Sequence, residues 1–190
     1  MDLSRAVDLW NRAVALRYPT LGEFRAALGL GPVKSLYAHA PNIIYLENNL
    51  HIWLTPMARP VDAEPVNAIT FILCRDYFPP EAGVVTEEPR GLAILDIRLP
   101  VDGQSLLDQL HDRGLKGLGV STLTQAVGPD TGKIVRWEIE HPWNVQFTFL
   151  PNSKEDEKLV HSRLQDLTFY YGDPPYGNKG PPPLMTLPPT

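Results

Sequence analysis

The sequence predicts an α+β protein: a mainly antiparallel β-sheet of about six to eight strands, flanked by N-terminal helices and two later helices. Three observations lead there. Apolar residues recur at helical spacing through the first 30 positions. After Pro32 the pattern changes to short strand-like segments rich in apolar residues and separated by turn residues. Helical spacing then returns in two later stretches. The 190 residues, 43% of them hydrophobic, suffice for one buried core, and length alone favours one domain.

The elements follow in order. Residues 3–17 place Leu3, Ala6, Val7, Trp10, Ala13 and Val14 on one helical stripe, which Tyr18-Pro19 stops. Thr20 opens a second helix, with Glu23 three residues on in a capping-box pattern and Gly29 supplying a left-handed exit. "SLYAHA" is a short strand, and "NIIYLENNLHIWLT" reads as two strands joined at Asn48-Asn49. "NAITFILC" and "GLAILDIRL" (91–99) are near-continuous apolar runs that suit strands covered on both faces. "DGQSLLDQLHDRG" is a helix capped by Asp102 and ended by Gly114, with Leu106, Leu107 and Leu110 facing inward.

"VSTLTQAVGPDTGKIVRWEIE" reads as a hairpin turning at Gly128–Gly132, and "NVQFTFL" continues the sheet. "NSKEDEKLVHSRLQDL" (152–167) carries acids at its start, then Leu159, Val160, Leu164 and Leu167 at helical spacing, and is expected to be a helix. "TFYY" is a last strand or a packing arm. The globular domain is thus expected over 1–171. Residues 172–190, dominated by proline and glycine, are expected to form an extended tail with no core of its own.

Composition limits the function classes. The net charge of −5 repels phosphates, which argues against nucleic acid and would steer a basic partner toward the surface. A single cysteine, Cys74, allows no internal disulfide and fits a cytoplasmic setting. The start of the chain does not read as a signal peptide, and no apolar run approaches about 18 residues, so no membrane span is expected.

The densest chemistry lies in "RWEIEHPWNVQFTF" (136–149). Strand alternation sends Trp137 and Ile139 to one face and Arg136, Glu138 and Glu140 to the other. It likewise separates Val145, Phe147 and Phe149 from Gln146 and Thr148. Glu138 and Glu140 share one environment beside Arg136, so neither is set up as an acid against the other as base. Both are expected to be solvated. Cys74 ends an apolar strand and reads as a buried, inert thiol. "GLKGLG" follows a helix and enters a strand, the reverse of a phosphate loop. The five histidines, His39, His51, His111, His141 and His161, have no metal-site spacing, and no nucleophile motif is present. No catalytic residue, metal or cofactor is therefore expected.

The function expected is that of a soluble, acidic protein-binding module, such as an inhibitor, antidote or adaptor acting on a protein partner, a basic one suiting its charge best. Its binding residues would be Asp76, Glu81, Glu87 and Glu88 in the proline-marked loop, with His141 and Trp143 in the later turn. The alternative is an enzyme or small-ligand-binding protein whose pocket is formed by the 75–90 loop and the His141–Trp143 turn.

Overall fold

The computed structural model describes residues 3–30, 43–47, 50–56, 61–73, 91–115, 118–141, 143–152, 157–172 and 182–187. They form an α+β fold built on a seven-stranded antiparallel sheet. The strands are β1 (Ile43–Glu47), β2 (Leu50–Pro56), β3 (Val66–Ile72), β6 (Gly119–Thr124), β7 (Ile134–His141), β8 (Val145–Pro151) and β9 (Ser162–Tyr170). Their order across the sheet is β1-β2-β3-β9-β8-β7-β6. Two meanders, β1-β2-β3 and β6-β7-β8-β9, thus run in from opposite edges and meet where β3 pairs with β9. A second, three-stranded sheet joins β4 (Ala93–Ile94), β5 (Ile97–Arg98) and β10 (Met185–Thr186).

Helices α1 (Leu3–Val14) and α2 (Leu21–Leu28) form for local reasons and stay for tertiary ones. The α1 stripe Ala6, Leu9, Trp10, Ala13 and Val14 is fully buried. Trp10 stands edge-on to Phe71 of β3, with ring centroids 5.1 Å apart. The expected capping box closes α2: Thr20 Oγ1 accepts the Glu23 N–H, and Glu23 Oε2 accepts the Thr20 N–H at 2.8 Å. Gly29 exits at φ 65°, and Leu30 N–H reaches back to Arg25 O, which satisfies the last carbonyls of the helix. Tyr171 Oη donates to Ala13 O at 2.7 Å, tying the end of β9 to α1. Trp137, Ile139, Val145, Phe147 and Phe149 join this core, as the strand alternation predicts.

Helix α3 (Gly103–Asp112) starts at Asp102, whose carboxylate accepts the Ser105 N–H. Its first residue is pressed against the sheet. Gly103 N–H donates to Ser162 Oγ at 3.0 Å, and a Cβ on Gly103 would lie 2.3 Å from Leu159 Cδ1 and 2.8 Å from Leu159 Cγ. Gly103→Ala is therefore expected to cost about 1–3 kcal/mol through overpacking. Urea unfolding checks it, and an unshifted midpoint would mean that Leu159 swings aside freely.

Three sequence expectations are corrected. Residues 91–99 are not one doubly covered strand but the tight hairpin β4–β5, with Leu95 and Asp96 both at positive φ (53° and 61°). Each arm buries alternate residues, Leu92 and Ile94, then Ile97 and Leu99, so the two arms read together as one apolar run. Residues 152–167 do not form a second later helix. A 3-10 turn at Leu159–His161 leads straight into β9, so α3 is the later helix of the described residues. The misleading signal is a β-bulge. The register between β8 and β9 shifts at Thr148/Phe149, placing Leu164 and Leu167 three apart on the core face, a helical spacing produced by a strand.

The third correction concerns the tail. Its residues 182–187 are built into the body: Met185 belongs to the core, and β10 pairs with β4. Trp10 Nε1 donates to Pro183 O at 2.6 Å. Asn11 acts as a side-chain stand-in for a strand, accepting the Met185 N–H and donating to the Met185 carbonyl. The expected strand "SLYAHA", the Asn48-Asn49 turn, Cys74 and the 75–90 loop lie outside the described residues.

Candidate functional site

One face of the seven-stranded sheet carries the core. The opposite face of β3, β9, β8 and β7 is polar, and strand register sets its side chains in rungs. Glu138, Thr148, Asp166 and Ile72 are successive cross-strand neighbours. In the next rung stand Glu140, Gln146, Thr168 and Thr70, and beyond them Tyr170 faces Ala68. Arg136 and Ser121 extend this face at its β6–β7 end. The result is an open concavity of about 330 Å³.

Neighbours hold most of these groups in place. Thr70 and Thr168 share a hydroxyl–hydroxyl bond at 2.8 Å, and Tyr170 Oη donates to Gln146 Oε1 at 2.8 Å. Arg136 Nη2 pairs with Glu138 Oε1 at 2.7 Å, and Ser121 Oγ donates to Glu138 Oε2. Asp166 is hydrogen-bonded by the hydroxyls of Thr148 and Thr168. Arg136 Nε is buried with no hydrogen-bond partner among the described residues, a donor left over.

Burial dominates the electrostatics. It pushes the Asp166 carboxyl up to about 7, with the Glu138 charge adding to the rise; the Thr148 and Thr168 hydrogen bonds and the Arg136 charge oppose it. Near neutrality Asp166 is thus both acid and carboxylate, able to donate as well as accept. Burial also raises the Tyr170 hydroxyl, reinforced by the charges of Glu138, Glu140 and Asp166.

A second concavity of about 370 Å³ adjoins the first and shares Asn67, Gln146 and Tyr170 with it. His141 lines it at the end of β7, with only 4% of its surface exposed. Its Nδ1 accepts the Trp143 N–H at 3.2 Å, so the proton of the neutral ring sits on Nε2. Burial, with the Arg113 charge, lowers its pKa to about 4. The turn is made by Asn144 at φ 61°, whose Nδ2 donates to Gly172 O.

Of the residues singled out in the sequence, His141 reaches a concavity. Trp143 stands edge-on to the His141 ring, centroids 5.2 Å apart, but is not in the wall. Asp76, Glu81, Glu87 and Glu88 lie outside the described residues. Glu138 departs from expectation: its side chain is 17% exposed, paired and set in the concave wall rather than freely solvated, and Glu140 is half-buried too. Sequence reasoning misses Asp166, Thr168 and Tyr170 as site residues, because 152–167 reads as a helix and "TFYY" as a last strand or a packing arm. Period-2 reading of "DLTFY" would have found them. Among the described residues no group of three or more His, Cys, Asp or Glu side chains is placed to hold a metal. No helix among them is long and apolar enough to cross a membrane.

Comparison with family models, curated proteins and solved structures gives no match to this chain. The fold and the site define an α+β protein with an antiparallel sheet whose polar face is open and hydrogen-bonding.

Proposed function

We propose that the protein is a binding protein that takes a small polar ligand on the open face of its sheet. The observation that carries this is the wall itself: side chains from five adjacent strands, β2 through β7 in sheet order, converge on one concavity, already oriented by their mutual hydrogen bonds. Preorganised groups lose little freedom on binding, which favours affinity. The reading keeps the small-ligand alternative of the sequence but moves its site from the 75–90 loop and the His141–Trp143 turn to the β3–β9–β8–β7 face. A fragment screen read by amide chemical shifts tests it. Hits should perturb residues of this face, Gln146, Asp166 and Thr168 foremost; hits that cluster elsewhere, or none, would refute it.

A protein partner is the second reading, favoured by β6, the outermost strand at one end of the sheet among the described residues. β6 is exposed along nearly its whole length, with Val120 47%, Leu123 42% and nearby Val127 78% exposed. Residues 117–129 contain no charge, so the strand itself carries none of the charged side chains that commonly guard an edge against strand addition. In this reading the acids Asp76, Glu81, Glu87 and Glu88 steer a basic partner in the cytoplasm, and the edge receives it. The double variant Glu87→Lys/Glu88→Lys is expected to leave Tm nearly unchanged, to slow association with a co-purified partner and to flatten its salt dependence. An association rate equal to wild type at low salt removes the loop from the interface.

A further inference from the structure

We infer that the ligand of the open sheet face is a neutral saccharide of one or two sugar units, an inference that rests on the small-ligand reading above. Elimination narrows the chemistry first. An anion such as phosphate would meet the Glu138 carboxylate, the half-ionised Asp166 and one guanidinium that Glu138 already engages at 2.7 Å. An apolar ligand would face a wall in which Ala68 and Ile72 are the aliphatic members among hydroxyls, amides and carboxyls. Such a ligand would strip water from those groups and return no hydrogen bonds.

What remains must both donate and accept, repeatedly and at short intervals. A sugar hydroxyl does so. The wall offers both: the carboxyl oxygens accept, the part-exposed Arg136 guanidinium donates, and the Gln146 and Gln165 amides do both. Strand geometry sets the spacing, about 4.8 Å between neighbouring strands and about 7 Å between successive rungs, the scale of a pyranose ring and its substituents. Tyr170 is the aromatic ring of the wall, and Ala68 beside it leaves room above the sheet. The volume of about 330 Å³ accommodates one or two sugar units and lies at the low end of ligand sites.

The test uses the full chain and named compounds. Glucose, galactose, mannose, N-acetylglucosamine, maltose, cellobiose and lactose are titrated by amide shift mapping and calorimetry, alongside glucose 6-phosphate, inorganic phosphate and putrescine. At least one neutral sugar should bind, with perturbations centred on residues 146, 148, 166 and 168. Thr148→Val, nearly isosteric, should weaken that binding at least tenfold while its amide spectrum stays native; Thr131→Val, in the distant β6–β7 turn, should not. Binding of putrescine or a phosphate at these residues, with no sugar bound, overturns the saccharide assignment and leaves the site standing. Silence of the whole face toward every compound here and toward the fragment screen overturns both readings.

Discussion

Asp166→Asn is expected to stabilise the protein at pH 8 by about 2–4 kcal/mol. The cause is the elevated carboxyl. With a folded pKa of about 7 against 3.8 for the free group, the native state keeps a proton that the unfolded chain releases. Stability from this group is therefore complete below about pH 4, declines as pH rises to 7, and stays diminished above it. A shift of this size is worth about 4 kcal/mol at 1.36 kcal/mol per unit, and partial hydration in an open concavity brings the expectation lower. Asparagine keeps the shape, can still bond Thr148 and Thr168, and has no proton to lose.

His141 works in the opposite direction. Its folded pKa of about 4 lies below 6.5, so its contribution is intact above pH 6.5 and is lost as pH falls toward 4. Between pH 4 and 6.5 the two slopes oppose each other in the native sequence. The asparagine variant removes one and should expose the other, giving a stability that climbs through this window and then levels. Urea titrations at pH 4.5, 6 and 8 separate the cases. A variant profile parallel to that of the native protein would mean that Asp166 is ionised in the fold at pH 6.

The second large effect is expected at Trp10. Trp10→Ala should cost about 3–5 kcal/mol, the range for deleting a buried aromatic. The ring is fully buried, stands against Phe71, and donates to Pro183 O. Loss of that bond should also loosen residues 182–187, which otherwise rely on Asn11 and on the pairing of β10 with β4. Trp10→Phe divides the effects, keeping most of the packing and dropping the hydrogen bond. It should cost less and still raise amide exchange at Met185, whose N–H is bound by Asn11 Oδ1. Unchanged exchange there would show that the C-terminal segment is held without Trp10.

Legibility in the sequence followed the range of the interaction. The capping box of α2 involves four residues and was readable in full. So was the β6–β7 turn, whose Gly128 and Gly132 both take positive φ. The β7–β8 core face emerged from simple alternation. β9 did not, because its bulge converts a strand period into i, i+3 spacing, and acids upstream imitate a helix start. Losing β9 meant losing Asp166, and without Asp166 the carboxylates of β7 had no visible reason to be anything but solvated. Their half-buried state comes from cross-strand neighbours, Thr148 across β7–β8 and Asp166 one strand further, which lie outside the local pattern. The tail was misjudged for the same reason: what fixes Met185 is Asn11, 174 residues away.

The meeting of the two meanders at β3 and β9 bears on how the protein folds. Each meander closes through neighbouring hairpins, but Thr70 reaches Thr168 only across 98 residues of chain. Closing that loop costs entropy before any contact rewards it, so this seam belongs to the slow part of folding, and hydrogen-exchange labelling during refolding should show the amides that bond between β3 and β9 protected after those of the β7–β8 hairpin. The concavity straddles the same seam, with Thr70, Ala68 and Ile72 on one side and Thr168, Tyr170 and Asp166 on the other. Neither half can present it alone. A ligand held there binds only chains that have finished folding, and by mass action draws the last, slowest joint shut.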